Sequence, residues 1–140
     1  MNRKEAREFL MKVLFQMDAT EDFSPENAQK YLSGKFMGGQ KNYCNLLLGE
    51  ICGNRDEIDN LISKFSTGWR IERMPKTDIS ILRLSVGEIL YSEDVPAAVS
   101  INEAVELAKK YGTQQSPKFV NAVLGSISGD ASKTFGNAKK

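Results

Sequence analysis

Apolar residues recur along most of this chain at the intervals of three and four residues that give a helix one buried face. Over residues 3–18 the members of this stripe are Ala6, Phe9, Leu10, Val13, Leu14 and Met17. A second, shorter helix is predicted up to residue 32, because Ser24 and Pro25 have the preferences of a helix start. The chain therefore begins with two amphipathic helices.

A longer apolar pattern spans residues 40–65 and predicts one long third helix. Gly49 and Gly53 each cost about 1 kcal/mol in a helix interior relative to alanine, so we expect them to mark a close helix contact or a bend. Residues 66–76 lack such a pattern, and we expect irregular chain or a short helical turn that ends at Pro75.

The next helix is predicted over residues 78–91, with Thr77 or Asp78 as its N-cap. Apolar residues occur on more than one side of it, which predicts a central helix that packs against several others. Two polar residues in this helix, Arg83 and Glu88, are expected to form internal contacts between helices rather than a catalytic pair.

Two further helices are predicted in the segment DVPAAVSINEAVELAKKYGTQQSPKFVNAVL. Ser100 and Glu103 have the spacing of a capping box, so the first helix should begin at residue 101. Gly112 lies where that helix should end, and Ser116, which is followed by proline, should start the second.

No strand-like alternation of useful length is present, so the predicted fold class is all-α. A chain of 140 residues forms one domain that buries roughly two thirds of the surface its unfolded chain would expose. We place this domain at residues 1–128. Residues 129–140 show no apolar periodicity and are expected to be disordered.

Composition excludes several classes of function. Histidine is absent, no Gly-rich phosphate loop is present, and the two cysteines lack CxxC spacing, so we expect no metal, no cofactor and no catalytic residue. No apolar stretch of about 18 residues could span a membrane, and the charged N-terminus does not resemble a signal peptide, so we expect a cytoplasmic protein. A formal net charge of +1 means that any RNA affinity must come from local charge placement.

The first candidate RNA contact is on the first helix. Arg3, Lys4 and Arg7 form a basic rim beside the apolar stripe, where three cations oppose the helix dipole. The alternative is that they are solvated surface charges without a partner. Phe15 lies outside the stripe, either as a second core contact or as an exposed platform on which a base could stack.

The second candidate is the polar loop and helix start that contain Gln115, Ser116 and Lys118. A helix N-terminus offers free N–H groups and a positive dipole, which suit a phosphate, and Lys118 adds a charge beside it. The alternative is capping by Ser116, which is compatible with phosphate binding.

The segments INEAVELAKKYG and SPKFVNAVL resemble the sequence signature of the NusB family of bacterial transcription antitermination factors. The resemblance extends to DISILRLSVGEIL and to AREFLMKVLFQ, and these blocks follow the order of the family. It implies a bundle of about seven helices in two helical subdomains, here about 1–65 and 66–128.

The resemblance also implies a function. Members of the family bind the boxA sequence of ribosomal RNA leaders together with NusE, a small-subunit ribosomal protein, and with other Nus factors they help RNA polymerase resist termination. The implied RNA contacts are Lys4, Arg7, Phe15, Gln115, Ser116 and Lys118, with Arg3 as a neighbour. Asp78 matches an acidic position that faces NusE in relatives, whereas from the residues alone it would be a helix cap.

Two other functions stay open at this point. NusB-like domains also occur fused to RNA methyltransferases, so the chain could be a helical RNA-binding accessory module of an RNA-modifying enzyme. It could also be a protein–protein adaptor without RNA contact. The sequence leaves both a monomer and a homodimer open, and a homodimer could hide the surface meant for RNA.

Overall fold

The computed structural model describes the backbone of residues 1–35 and 37–139 and the side chains of residues 1–35 and 37–130. Short 3-10 helices at Gly38–Gln40 and Ile71–Arg73 precede the third and fifth α-helices. The α-helices are α1 (Arg3–Ala19), α2 (Pro25–Leu32), α3 (Lys41–Gly53), α4 (Arg55–Phe65), α5 (Lys76–Tyr91), α6 (Ala97–Tyr111) and α7 (Ser116–Lys139). No strand occurs in this part of the chain, and the all-α prediction is confirmed.

Helix α5 lies at the centre of the bundle, because α1, α3, α4, α6 and α7 all pack against it. Every residue from Asp78 to Ile89 is buried. This confirms the central position predicted from its several apolar sides. It also means that Arg83 and Glu88 are charged groups inside the core, which is costly unless partners neutralise them.

Arg83 is neutralised from two helices. Its guanidinium donates two hydrogen bonds to the Asp59 carboxylate of α4, at 2.9 and 3.0 Å, and one to Asp18 of α1, at 2.9 Å. The guanidinium carbon also lies 5.2 Å from the centre of the Phe23 ring. The predicted internal contact of Arg83 is confirmed, and it joins α1 and α4 to α5.

Glu88 accepts hydrogen bonds from three helices, of which α1 supplies the neutralising cation. Arg7 Nε of α1 donates to both carboxylate oxygens, at 3.0 and 3.1 Å, and Ser100 Oγ of α6 donates at 2.6 Å. The Tyr43 hydroxyl of α3 also donates to this carboxylate. We call Arg7, Tyr43, Glu88 and Ser100 the Glu88 cluster; it joins α1, α3, α5 and α6.

The predicted long third helix is instead two helices that meet at Asn54. The Asn54 amide donates to the Glu50 carbonyl at 2.8 Å and so satisfies the end of α3, while the Asn54 carbonyl accepts from Ile58 in α4. A methyl group built on Gly49 or Gly53 would meet no atom within 4 Å apart from the local helix backbone. The alternative of a close helix contact therefore does not apply, and the helix is interrupted directly after Gly53.

The N-caps predicted for α5 and α6 were both wrong. Helix α5 begins directly after Pro75, so Thr77 and Asp78 lie in its first turn. Helix α6 begins directly after Pro96, which places Ser100 inside the helix. The fixed φ of proline favours these earlier starts, and the buried Glu88 carboxylate takes the Ser100 hydroxyl that would otherwise cap.

The other predicted helix starts, and the predicted end of α6, agree with the structure. Asn2 and Ser24 cap α1 and α2, Gly112 is the C-cap of α6, and α7 begins at Ser116. Helix α7 continues to Lys139 rather than ending near residue 128. The disorder expected for residues 129–140 and the division into two subdomains stay predictions. Within the described part of the chain, no helix is long and apolar enough to cross a membrane.

The closest helix contact provides a test of the packing. A methyl group built on Gly87 of α5 would overlap the Ile51 side chain and lie 2.9 Å from its Cδ1. We expect Gly87→Ala to lower the free energy of unfolding, because overpacking costs about 1–3 kcal/mol and better helix propensity offsets only about 1 kcal/mol. In urea denaturation, the control Gly49→Ala should leave stability unchanged or raise it. Equal stability of the two variants would contradict this packing.

The Glu88 cluster provides a second test. Arg7→Ala removes the cation while the Glu88 carboxylate stays buried, so we expect a loss of about 3 kcal/mol or more in unfolding free energy. Lys4→Ala, three residues away and exposed, should change stability by less than about 0.5 kcal/mol. A small effect of Arg7→Ala in the same measurement would show that this ion pair is dispensable.

Candidate nucleic-acid interface

The predicted basic rim of α1 is divided between the surface and the interior. Lys4 is exposed, and its Nζ lies 3.4 Å from Glu103 Oε2 of α6. Arg3 is half-buried: its Nε donates to Gln40 at 2.6 Å, and its guanidinium carbon lies 3.9 Å from the centre of the Tyr43 ring. Lys4 is accessible to a ligand, because its exposed ion pair with Glu103 contributes little stability.

Arg7, in contrast, is buried, with 7% of its side chain exposed. Its Nε is committed to Glu88, and its NH1 lies 3.5 Å from Glu103 Oε1. Glu103 thus pairs with Arg7 through one oxygen and with Lys4 through the other. In this structure Arg7 positions the carboxylate that holds Lys4, and its guanidinium lies beneath the surface.

A shallow groove of about 270 Å³ follows these residues between α1 and α6. Acidic groups in it are paired with lysines. Glu8 accepts from Lys110 Nζ at 2.9 Å, and this hydrogen bond lowers the pKa of the Glu8 carboxyl. Lys12 Nζ lies 3.7 Å from the other Glu8 oxygen. The lysines of this groove are therefore paired with glutamates that also lie on α1 and α6.

Phe15 lies on the side of α1 that carries Lys4 and Glu8, about three turns beyond Lys4. It is half-buried, so it is neither a fully buried core residue nor a fully exposed platform, the two alternatives predicted from the sequence. Part of its ring area is therefore accessible to a base.

The loop between α6 and α7 is closed around Ser116. Its Oγ accepts from the Thr113 backbone N–H at 2.9 Å and donates to Asp78 Oδ1 at 2.7 Å. A side chain on Gly112 would meet Ser116 Oγ at 2.5 Å, so glycine is what allows the loop to close. Ser116 is buried, whereas Gln115 and Lys118 on either side of it are exposed.

Asp78 is 4% exposed and lies at the base of a second, largely apolar groove of about 480 Å³. Burial raises the pKa of the Asp78 carboxyl, and the hydrogen bond from Ser116 offsets this only in part. The Trp69 and Phe119 rings, which line the same groove, meet edge to face at 6.1 Å. We call this the Asp78 groove; Gln115 and Lys118 form part of its rim.

Sequence reasoning missed Trp69 and Phe119. Trp69 is 52% exposed in a segment without periodicity, and a single tryptophan there was the only available signal. The structure brings Asp78, Ser116, Gln115 and Lys118 together at one end of the bundle. Helix α6 connects Lys4 with this loop. Its Glu103 pairs with Lys4, and the helix ends at Gly112, where the loop begins.

Two observations on the described residues concern metal binding and the chemistry of the thiols. No group of three histidine, cysteine, aspartate or glutamate side chains among them could hold a metal ion. Both cysteines are free thiols, and burial raises the pKa of Cys52 to about 11, so this thiol stays protonated and a weak nucleophile at neutral pH.

Comparison with known proteins places these features in a family. The model of the NusB family matches residues 4–129. Transcription antitermination protein NusB of Alkaliphilus oremlandii is 45% identical over 126 residues, which cover 89% of this chain and 91% of the relative. The protein of the same name from Listeria monocytogenes is 40% identical over 127 residues, covering 91% and 96%.

Solved structures agree with this match. A T. maritima NusB structure superimposes with a TM-score of 0.84 at 33% identity, covering 93% of this chain and 92% of that one. A crystal structure of the antitermination factors NusB and NusE in complex with double-stranded RNA contains a chain that superimposes with a TM-score of 0.79 at 26% identity, covering 91% and 96%. With its sequence matched over almost its whole length and its helices superimposed on these structures, the chain belongs to the NusB family.

Proposed function

We propose that this chain is a non-enzymatic transcription antitermination factor of the cytoplasm that binds boxA-type leader RNA jointly with NusE. The observation that carries the proposal is the superposition on a chain from a complex of NusB, NusE and RNA, over 91% of the present chain. In this role it would act within the RNA polymerase antitermination complex, together with other Nus factors.

The proposed RNA surface consists of Lys4 and Phe15 on α1 and of Gln115 and Lys118 at the start of α7, with Arg3 beside Lys4. These side chains are exposed or half-buried, so cations can reach phosphates and a ring can meet a base. We assign Arg7 and Ser116 to positioning the neighbouring RNA contacts rather than to binding RNA, because their polar groups already bond inside the protein. Withdrawing Arg7 would leave Glu88 buried without its cation.

Few phosphate contacts are available on this surface. The net charge is +1, and Lys4 is partly screened by Glu103. Because affinity for RNA grows with the number of neutralised phosphates, the chain alone should bind modestly. A basic partner that contacts the same RNA would add phosphate contacts, which accounts for joint binding with NusE.

The Asp78 groove is the proposed NusE surface. Its apolar walls include Trp69 and Phe119, and its base carries one buried carboxylate whose hydrogen-bond partner, Ser116, is neutral. A cationic side chain flanked by apolar residues would fit both features, because it would neutralise Asp78 and cover the rings. Asp78 also bonds to the loop that presents Gln115 and Lys118, so the partner and RNA surfaces adjoin.

A binding titration tests the proposed function. We expect boxA leader RNA to bind modestly to the chain alone and clearly more tightly with NusE, at two salt concentrations, in a gel-shift or fluorescence assay. Lys4→Glu should weaken RNA binding and lower the salt slope by about 0.7, because one phosphate contact is lost. Lys64→Glu, an exposed charge on α4, is the matched control.

Two outcomes of this titration would contradict the proposal. Equal affinity for boxA and for a scrambled RNA, with and without NusE, would exclude selective antitermination. A stable NusE complex that binds no RNA would identify the chain as a protein–protein adaptor.

The Asp78 carboxyl generates a prediction about pH. A cation from NusE needs the ionised carboxylate, so we expect the affinity for NusE to fall as pH falls through the raised pKa of Asp78. Asp78→Asn keeps an acceptor for Ser116 but lacks the charge; it should bind NusE about tenfold or more weakly near neutral pH and without this pH dependence. Isothermal titration calorimetry would measure both.

Folding stability and affinity for NusE should respond to pH in opposite directions, which distinguishes a loss of NusE binding from unfolding. Because the folded-state pKa of Asp78 is raised, its own contribution to folding stability improves as pH falls through that pKa, while affinity for NusE declines. Asp56→Asn, which changes an acid that is 91% exposed, is the control. Identical pH profiles for the wild type and Asp78→Asn would remove Asp78 from the NusE surface.

A further inference from the structure

A third concave surface lies on the side of α1 that faces α2. A shallow pocket of about 270 Å³ there is lined by the rings of Phe9 and Tyr31 and by the side chains of Lys12, Lys30 and Lys35. We call it the α1–α2 pocket. Neither the family resemblance nor the proposed function assigns a role to it.

The pocket carries three positive charges and no lining acid among the described residues. Lys30 and Lys35 are exposed, and neither forms an ion pair with another described residue. The charge of Lys30 acts weakly on Asp22, but that carboxylate already accepts the Ser24 N–H at 3.0 Å. The two lysines therefore present uncompensated charge to solvent, which suits a polyanion.

The aromatic rings supply a second element of recognition. Phe9 and Tyr31 are half-buried and pack against the hydrophobic core, so both rings are fixed by their neighbours. Fixed rings between lysines are the arrangement by which proteins hold single-stranded nucleic acid, with bases on the rings and phosphates on the cations. The carboxylates of an acidic peptide would engage the lysines but would not stack on the rings as nucleic-acid bases do.

Lys12 connects this pocket to the proposed RNA surface. It lines the pocket, lies about 12 Å from Lys4 along α1, and is three residues from Phe15. Its Nζ is also 5.4 Å from the centre of the Tyr111 ring of α6. Lys12 therefore lies between Lys4 and the α1–α2 pocket along α1, with Glu8, which pairs with Lys12 and Lys110, on the same side of the helix.

We propose that the α1–α2 pocket is a second RNA contact, which holds nucleotides flanking the segment bound at Lys4 and Phe15. Phosphates of the flanking nucleotides lie against Lys30 and Lys35, and a base packs against Phe9 or Tyr31. The inference rests on the proposed function and deepens it, because it extends the bound RNA beyond the boxA segment along α1.

The test compares RNAs of two lengths. One RNA carries the boxA segment alone, and the others extend it by a few nucleotides of single-stranded sequence at the 5′ or the 3′ end. We expect extension at one of these ends to tighten binding by the wild type about fivefold or more, the smaller end of what one stacked base contributes. The salt slope should steepen by about 0.7 for each added phosphate contact.

Single variants locate the effect. Lys30→Glu and Lys35→Glu should each remove most of the gain from extension and leave binding of the short RNA unchanged, while Lys64→Glu should keep the gain. Lys30 lies in the last turn of α2, where a cation stabilises the helix. The stability of Lys30→Glu should therefore be measured by thermal denaturation alongside its RNA binding. Lys35 lies outside the helix and is free of this complication.

The possible outcomes separate the two proposals. No gain from extension, or a gain that Lys30→Glu and Lys35→Glu both retain, overturns the second contact while the effect of Lys4→Glu on the short RNA still supports the first. Weaker binding of NusE by these variants with unchanged RNA binding would make the pocket a protein surface and overturn the inference. Failure of every RNA to bind, with or without NusE, would refute the proposed function itself.

Discussion

The structure depends on the placement of two charged residues inside its central helix. Arg83 and Glu88 of α5 are 3% and 2% exposed, and each would be strongly destabilising if it were buried without partners. Asp59 and Asp18 satisfy Arg83, and Arg7, Tyr43 and Ser100 satisfy Glu88. Because these partners come from α1, α3, α4 and α6, the buried charges require those helices to meet α5 in one arrangement.

This constraint determines what the surface can offer. Arg7 is drawn inward by Glu88, and it in turn contacts Glu103, whose second oxygen holds Lys4 at the surface. At the other end of α6, Ser116 is drawn inward by Asp78 while Gln115 and Lys118 stay outside. In both places a buried polar residue supports an exposed one. The buried residues Arg7 and Ser116 therefore stabilise the helix packing, while their exposed neighbours remain accessible to a ligand.

Several parts of the fold could be predicted from local patterns. The stripe of α1, the proline start of α2, the Gly112 end of α6 and the central role of α5 each follow from residues close in sequence. The capping box at Ser100 and Glu103 failed for a physical reason. Both side chains have stronger partners far along the chain, in Glu88 and in Lys4 and Arg7, and local spacing contains no information about such partners.

The sequence by itself determined most of the helices, the family and the candidate residues near Lys4 and Lys118, because periodicity and motif are properties of neighbouring residues. Only the tertiary structure decided which candidates are accessible: Arg7 and Ser116 are buried, Lys4, Gln115 and Lys118 are exposed, and Trp69 and Phe119 enclose a groove above Asp78. The reason is that exposure and pairing depend on residues up to 102 positions apart, as Glu8 and Lys110 are, which meet only when the helices pack.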